Sequence, residues 1–148
     1  MDDAFPTLIP GVSLLRTYAL AGRPVAEVRY PDGGVGVMEM RPDTTLFRPT
    51  YALYTRLSEG SIDLDEIDHA AFLTLVREWR RKAMAVLEGV PLAWTRTGDG
   101  EFPYRTAHDG LALVIRVNDY PADPLYSVMA EGQTLGHLED WPAAWTKG

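Results

Sequence analysis

One long helical pattern lies between two runs of short strand patterns, and this order constrains the fold more than any other feature of the sequence. Apolar residues recur at helical spacing over about four turns: Phe72, Val76, Trp79, Ala83 and Val86. Asp63 followed by Glu66 has the pattern of an N-cap with a capping box. Gly89, followed by Val90 and Pro91, is a typical stop signal. The pattern therefore predicts an amphipathic helix over 64–88.

The segment before this helix has the alternation of antiparallel strands. Apolar and polar side chains alternate over 25–30, a turn sequence follows at 31–34, and extended character resumes over 35–40. A further strand is predicted over 13–20, which completes a meander. The alternation over 51–57 favours a fourth strand, with a short helix as the alternative.

Strand patterns return after the helix at short intervals, separated by glycine-containing or proline-containing turns. They cover 92–96, 102–106, 111–117, 125–130 and 133–138. Strands on both sides of one helix predict an α+β fold: an antiparallel meander, one long amphipathic helix and a second antiparallel meander. The second meander either completes the first sheet or forms a companion sheet. We expect a single domain over 1–148, with an irregular lead-in at 1–12 and a C-terminal tail at 139–148.

The charge balance argues against phosphate-rich partners. The chain has 148 residues, with 14 Lys and Arg against 21 Asp and Glu, for a net charge of −7. Nucleic-acid binding needs clustered cations, and the one cluster, Arg77, Arg80, Arg81 and Lys82, is interpreted as a solvated helix face. A basic partner fits this balance better than nucleic acid does.

Composition also restricts the compartment and the chemistry. The chain has no cysteine, which excludes disulfides, thiolate metal sites and a cysteine nucleophile. No apolar run reaches the length of a membrane span, so we expect a cytoplasmic protein that does not bind membranes. Arginine outnumbers lysine 12 to 2, which favours a bacterial origin.

No motif in the sequence specifies a reaction, a metal or a cofactor. The three histidines, His69, His108 and His137, have no paired spacing of the kind that zinc sites show. The sequence does not decide whether any of them has a chemical role. The prediction is therefore no catalytic residue, no metal ligand and no cofactor.

The C-terminal third combines aromatic and acidic residues in a way typical of interfaces. Tyr and Trp join a large apolar body to a polar tip and are enriched in binding hot spots. The predicted partner-binding residues are Tyr120, Glu139, Asp140, Trp141 and Trp145. The alternative is that the two tryptophans close the core of the sheet.

Three functional hypotheses remain open at this point. The first is a non-enzymatic protein-binding module: an acidic partner, an inhibitor of the immunity type, or an accessory subunit. The second is a small enzyme or ligand-binding protein with a site assembled from scattered residues such as Tyr104, His108 and Arg116. The third is a structural homo-oligomer that uses a spare apolar flank of the helix, including Leu73 and Met84.

Overall fold

A computed structural model describes residues 9–60, 64–118 and 125–147. The chain is α+β, as the order of patterns predicts, with two sheets rich in antiparallel pairs, one long helix and one short helix. The second meander forms a companion sheet instead of extending the first. Residue contacts divide the chain into two compact units, 1–79 and 80–148. The organisation of 1–148 as one domain stays a prediction.

The described elements follow one another in a simple order. They are β1 (Ser13–Leu20), β2 (Arg23–Arg29), β3 (Val35–Met40), β4 (Phe47–Pro49), α1 (Tyr51–Ser58), β5 (Asp65–Ile67), α2 (His69–Glu88), β6 (Ala93–Arg96), β7 (Tyr104–His108), β8 (Leu111–Val117), β9 (Tyr126–Ala130), β10 (Gln133–Leu138) and β11 (Thr146–Lys147). The predicted strands at 13–20, 111–117 and 133–138 match the observed bounds.

The first sheet has the strand order β4-β3-β2-β1-β5, and all its pairs are antiparallel. A two-residue turn joins β1 to β2, and both its residues, Ala21 and Gly22, have positive φ angles of 51° and 78°. That geometry matches the right-handed twist of the strands on either side. The predicted N-terminal meander is therefore confirmed.

The segment predicted as a fourth strand over 51–57 is helix α1, so the strand prediction was wrong there. Thr50 is its N-cap, with a side-chain oxygen that accepts a hydrogen bond from the Leu53 amide at 3.3 Å. Leu53 is buried, and Leu57 one turn later packs against the same small cluster, which includes Val25 and Val37. Packing along one helical face thus decides the structure of a segment whose alternation also suits a strand.

The long helix α2 begins five residues later than predicted, at His69 instead of residue 64. Its N-cap is Asp68, whose Oδ1 accepts a hydrogen bond from the Ala71 amide at 2.8 Å. The residues before it form β5, and the Ile67 carbonyl accepts a hydrogen bond from the Thr17 hydroxyl at 2.7 Å. Asp63, the predicted cap, lies outside the described residues. The segment Asp65–Ile67, which the helical pattern includes in the helix, pairs with β1 as a strand instead.

The first half of α2 closes the main core of the first unit. The buried members of this core are Ile9, Ala26, Val28, Met40, Phe47, Phe72, Leu73 and Val76. The rings of Phe47 and Phe72 lie 5.8 Å apart. Trp79 is half-buried against the same core, and its indole N–H donates to the Gly22 carbonyl at 2.9 Å.

The buried face of α2 is displaced from the predicted stripe. Val86, predicted to face the core, is 70% exposed, whereas Leu73 and Met84, predicted as a spare flank, are buried within the chain. Arg80 lies one turn after Val76 on the buried line and is itself buried, so its assignment to a solvated face was wrong. The helix therefore has no spare flank at Leu73 and Met84.

The second sheet has the strand order β10-β9-β8-β7-β6-β11. All its pairs are antiparallel except the last, in which β11 runs parallel to β6 with Thr146 beside Ala93. The segment predicted as a C-terminal tail therefore contributes an edge strand. The β9–β10 turn is the predicted Glu131-Gly132 hairpin, with φ angles of 52° and 76°.

Candidate functional site

A cluster of five aromatic rings lies in the second unit. Its members are Trp94, Tyr104, Tyr126, Trp141 and Trp145. Trp141 contacts all the others, with centroid distances of 5.3 Å to Tyr104, 5.7 Å to Trp145, 5.9 Å to Trp94 and 6.2 Å to Tyr126. Three of these four contacts are tilted by 68° or more, an arrangement that sets ring edges against ring faces.

The strand register explains why these rings meet. Tyr104 pairs with Ile115 across β7 and β8, and Ile115 pairs with Val128 across β8 and β9. Directly paired residues share a face of the sheet, and Tyr126, two residues from Val128 on β9, shares that face too. The last segment of the chain then brings Trp145 beside Trp94, because the Thr146 amide donates to the Leu92 carbonyl at 2.8 Å.

The cluster has an interior side and an accessible side. Trp94 and Trp145 are 2% and 4% exposed, whereas Tyr104, Tyr126 and Trp141 are half-buried. The two deep tryptophans close the core, and the other three rings present part of their surface to solvent. Large amphipathic rings on a rigid base are the side chains that binding hot spots favour.

The indole N–H groups of the three tryptophans differ in their hydrogen bonding. The Trp145 N–H donates to the Leu87 carbonyl at 3.1 Å, near the end of α2. The Trp94 and Trp141 N–H groups are buried, and within 9–60, 64–118 and 125–147 neither has a hydrogen-bond partner. A buried donor without an acceptor costs about 1–3 kcal/mol. Among the described residues, the cluster thus has two indole N–H groups without an acceptor and one, that of Trp145, with an acceptor.

A positive charge already lies over the accessible rings. The Lys147 ammonium is 5.0 Å from the ring centroid of Trp141 and 5.8 Å from that of Tyr104. Both distances fall within the roughly 6 Å range in which a ring quadrupole attracts a cation. Lys147 itself is exposed in the edge strand β11. The two rings together therefore form a surface that accepts an ammonium group.

The structure brings together part of the predicted partner-binding set. Trp141 and Trp145 lie in one cluster, and Glu139 and Asp140 are exposed immediately before Trp141 in the chain. Tyr120 lies outside the described residues. Trp145 is a core residue of the second unit, which agrees with the alternative that it closes the sheet.

Trp94 and Lys147 were not predicted for this site. Tyr104 and Tyr126 belong to the aromatic-rich C-terminal third of the sequence, but neither was among the predicted partner-binding residues. Their separation along the chain hides the convergence, although Lys147 has one available signal: it is one of two lysines in the chain. Strand alternation also puts Tyr126 on the apolar face of β9, with Val128 and Ala130.

Apart from the aromatic cluster, three hydrogen-bonded polar side chains link the end of β8 to β9 and β10. The Ser127 Oγ lies 3.0 Å from the His137 Nδ1, and the Asn118 side-chain amide donates to the same Oγ at 3.1 Å. Direct cross-strand pairing of Ser127 with His137 explains the contact. Burial lowers the pKa of His137, which favours its neutral form. Ser127 is only 4% exposed and engaged on two sides, which suits a cross-strand linkage better than attack on a substrate.

The residues suggested for a scattered enzyme site do not converge. Arg116 follows Ile115 along β8, so its side chain lies on the opposite face from Tyr104. It pairs with Glu101 at 3.0 Å, while His108 contacts Asp109 at 3.4 Å. In the part of the chain that the structure describes, no group of three or more His, Asp or Glu side chains could hold a metal ion.

Arg80 is a buried cation of the second unit, and its hydrogen bond links two elements of the fold. Its guanidinium donates to the Gln133 side-chain oxygen at 3.2 Å. Burial lowers its pKa to about 10, which still leaves it protonated at neutral pH. The contact joins the middle of α2 to the start of β10.

Comparisons with known proteins give no family assignment: family models, curated proteins and solved structures each yielded no match to this chain. Among the described residues, no helix is both long and apolar enough to cross a bilayer. The case for a function therefore depends on the chemistry of the aromatic cluster and its surroundings.

Proposed function

We propose that this chain is a non-enzymatic protein-binding module that acts as an acidic partner, inhibitor or accessory subunit of a basic protein. One observation carries the proposal: the half-buried Trp141, fixed by contacts with four other rings, directly follows two exposed carboxylates, Glu139 and Asp140. An anchored aromatic ring bordered by charge has the composition of a hot spot with a polar rim.

The rest of the accessible surface supports the same partner chemistry. Tyr104 and Tyr126 extend the ring surface around Trp141, and both are half-buried. The net charge of −7 attracts a basic protein over a distance and speeds the encounter. The rings then act after contact, through the area that they bury against the partner.

The first experiment identifies the partner by affinity capture from the native host at low and high salt, followed by surface-capture kinetics. Reversal of both carboxylates, Glu139→Lys with Asp140→Lys, should slow association about tenfold at 0.1 M salt. The effect should shrink at 1 M salt, because the Debye length falls from about 10 Å to about 3 Å. Trp141→Leu should speed dissociation at both salt concentrations, since it removes a contact formed after encounter.

A matched control separates local from global charge. Glu78→Lys with Glu88→Lys changes the net charge by the same amount at two exposed positions of α2. Association should fall much less for this control than for the Glu139 and Asp140 pair. Equal slowing by both pairs would contradict a local interface. Unchanged rates for the Glu139 and Asp140 pair and for Trp141→Leu, with the fold intact, would direct the search to the acidic residues of 1–74.

A further inference from the structure

We infer that the Tyr104 and Trp141 rings form a binding site for one ammonium group of a partner's lysine, and that Lys147 occupies this site in the free protein. The inference rests on the proposed function and deepens it, because it names the chemical group that is recognised. The Lys147 ammonium, 5.0 Å and 5.8 Å from the two ring centroids, marks where that group would lie.

The rings are suited to a cation because they are held in place before it arrives. Trp141 packs on Trp94 and Trp145, which are buried, and Tyr104 packs on Trp141 at 5.3 Å. The cation therefore meets two rings whose positions are supported by packing against other rings of the protein. Preorganisation of this kind raises affinity without any added contact.

Lys147 is an occupant that can leave without unfolding its strand. The Thr146 amide, not the Lys147 side chain, holds this end of the chain to Leu92. The Lys147 side chain is exposed, so solvent is its alternative environment. A cation–π contact at an exposed position favours the bound form by only about two- to fivefold.

The local charge favours a cation at these rings, whatever its source. Glu139 and Asp140 are exposed and lie next to Trp141 in the chain. They attract positive charge to the rings whether it comes from Lys147 or from a partner. An internal competitor that is favoured two- to fivefold raises the apparent dissociation constant of an external cation about three- to sixfold.

The test compares one lysine probe with its neutral counterpart. The probes are the peptide acetyl-Gly-Lys-Gly-amide, the same peptide with norleucine in place of lysine, and tetramethylammonium chloride. Each is titrated into the full chain while the indole N–H signals are followed by NMR. We expect Lys147→Gln to bind the lysine peptide about three- to sixfold more tightly than the unaltered protein, and the norleucine peptide to leave the signals unmoved.

Three further variants keep the test specific. Lys82→Gln removes the same charge from an exposed position of α2 and should bind like the unaltered protein. Tyr104→Leu should abolish the gain that Lys147→Gln produces, while Tyr104→Phe, which keeps the ring, should retain it. Dispersed indole signals in each variant establish that the fold is intact.

Several outcomes would overturn the inference. These are equal affinity of the lysine peptide for Lys147→Gln and the unaltered protein, equal tightening by Lys82→Gln, or equal shifts from the norleucine peptide. Tighter binding of tetramethylammonium alone, with no gain for the lysine peptide, would assign the site to a small quaternary ammonium compound and overturn the lysine assignment. Any of these results leaves the proposed function standing if the Glu139 and Asp140 reversal still slows association with a captured partner.

Discussion

The core of the first unit and the aromatic cluster of the second unit cover their sheets with different side chains. The first uses aliphatic residues and two phenylalanines, and its central ring, Phe72, has no exposed surface. The second uses three tryptophans, two of which bury an N–H without a partner among the described residues. Phenylalanine can be buried completely because it has no polar atom, whereas tryptophan adds a donor that must find an acceptor. Within the described part of the chain, the ring cluster therefore leaves more of its buried polar groups without a partner than the first core does, and part of its surface remains accessible to solvent.

The largest expected effect tests the first core. Phe72→Ala should lower the free energy of unfolding by about 3–5 kcal/mol, because it removes a fully buried ring and leaves a cavity beside Phe47. Denaturant titration measures the loss. Tyr51→Ala is the control, since Tyr51 is 82% exposed and should change the value by less than about 0.5 kcal/mol. A loss below about 1 kcal/mol for Phe72→Ala would mean that this ring does not anchor the core.

An intermediate effect tests the helix start that supports the same core. Asp68→Ala should cost about 0.5–2 kcal/mol, because the Ala71 amide loses its capping acceptor. Asp63→Ala, the change that the capping-box pattern selects, is the comparison and should cost less. Thermal or denaturant unfolding of the two variants decides between them. A larger loss for Asp63→Ala would return the helix start to the position predicted from the sequence.

The smallest effect tests the contrast within the ring cluster. Trp145→Phe and Trp94→Phe remove the same atoms from two buried positions, but only the first loses a hydrogen bond, to the Leu87 carbonyl. Trp145→Phe should therefore be more destabilising by about 1 kcal/mol. Denaturant unfolding of both variants measures the difference. Equal losses would show that the Trp145 hydrogen bond adds no net stability.

Local signals predicted most of the strands, and a long-range pairing explains the main error. The Glu131-Gly132 turn lies between two short apolar runs, and this pattern gave the β9–β10 hairpin from the sequence alone. The start of α2 could not be obtained in this way. The sequence of residues 63–66 has the pattern of a capping box, whereas pairing with β1, fifty residues away at Thr17 and Ile67, makes Asp65–Ile67 a strand.

The candidate site was predictable in composition and not in geometry. Trp141 and the carboxylates before it follow from the enrichment of such residues in one third of the chain. Their contacts with Trp94 and Tyr104 depend on strand order and register, which no local pattern encodes. Arg80 shows the same limit, because its charge predicts exposure while its position on the helix places it on the buried line.

The parallel pairing of β11 with β6 has a consequence for the order of folding. The β7–β8 and β9–β10 hairpins have two-residue turns, and hairpins typically form in about 1–10 μs. The β6–β11 pair instead joins Ala93 to Thr146, so most of the second unit lies inside the loop that it closes. Loops of this length lose more chain entropy before their contacts form, and contacts far apart in sequence form late. We therefore expect Trp145, immediately before β11, to reach its place late in folding, and its contribution to the indole fluorescence to change in that step.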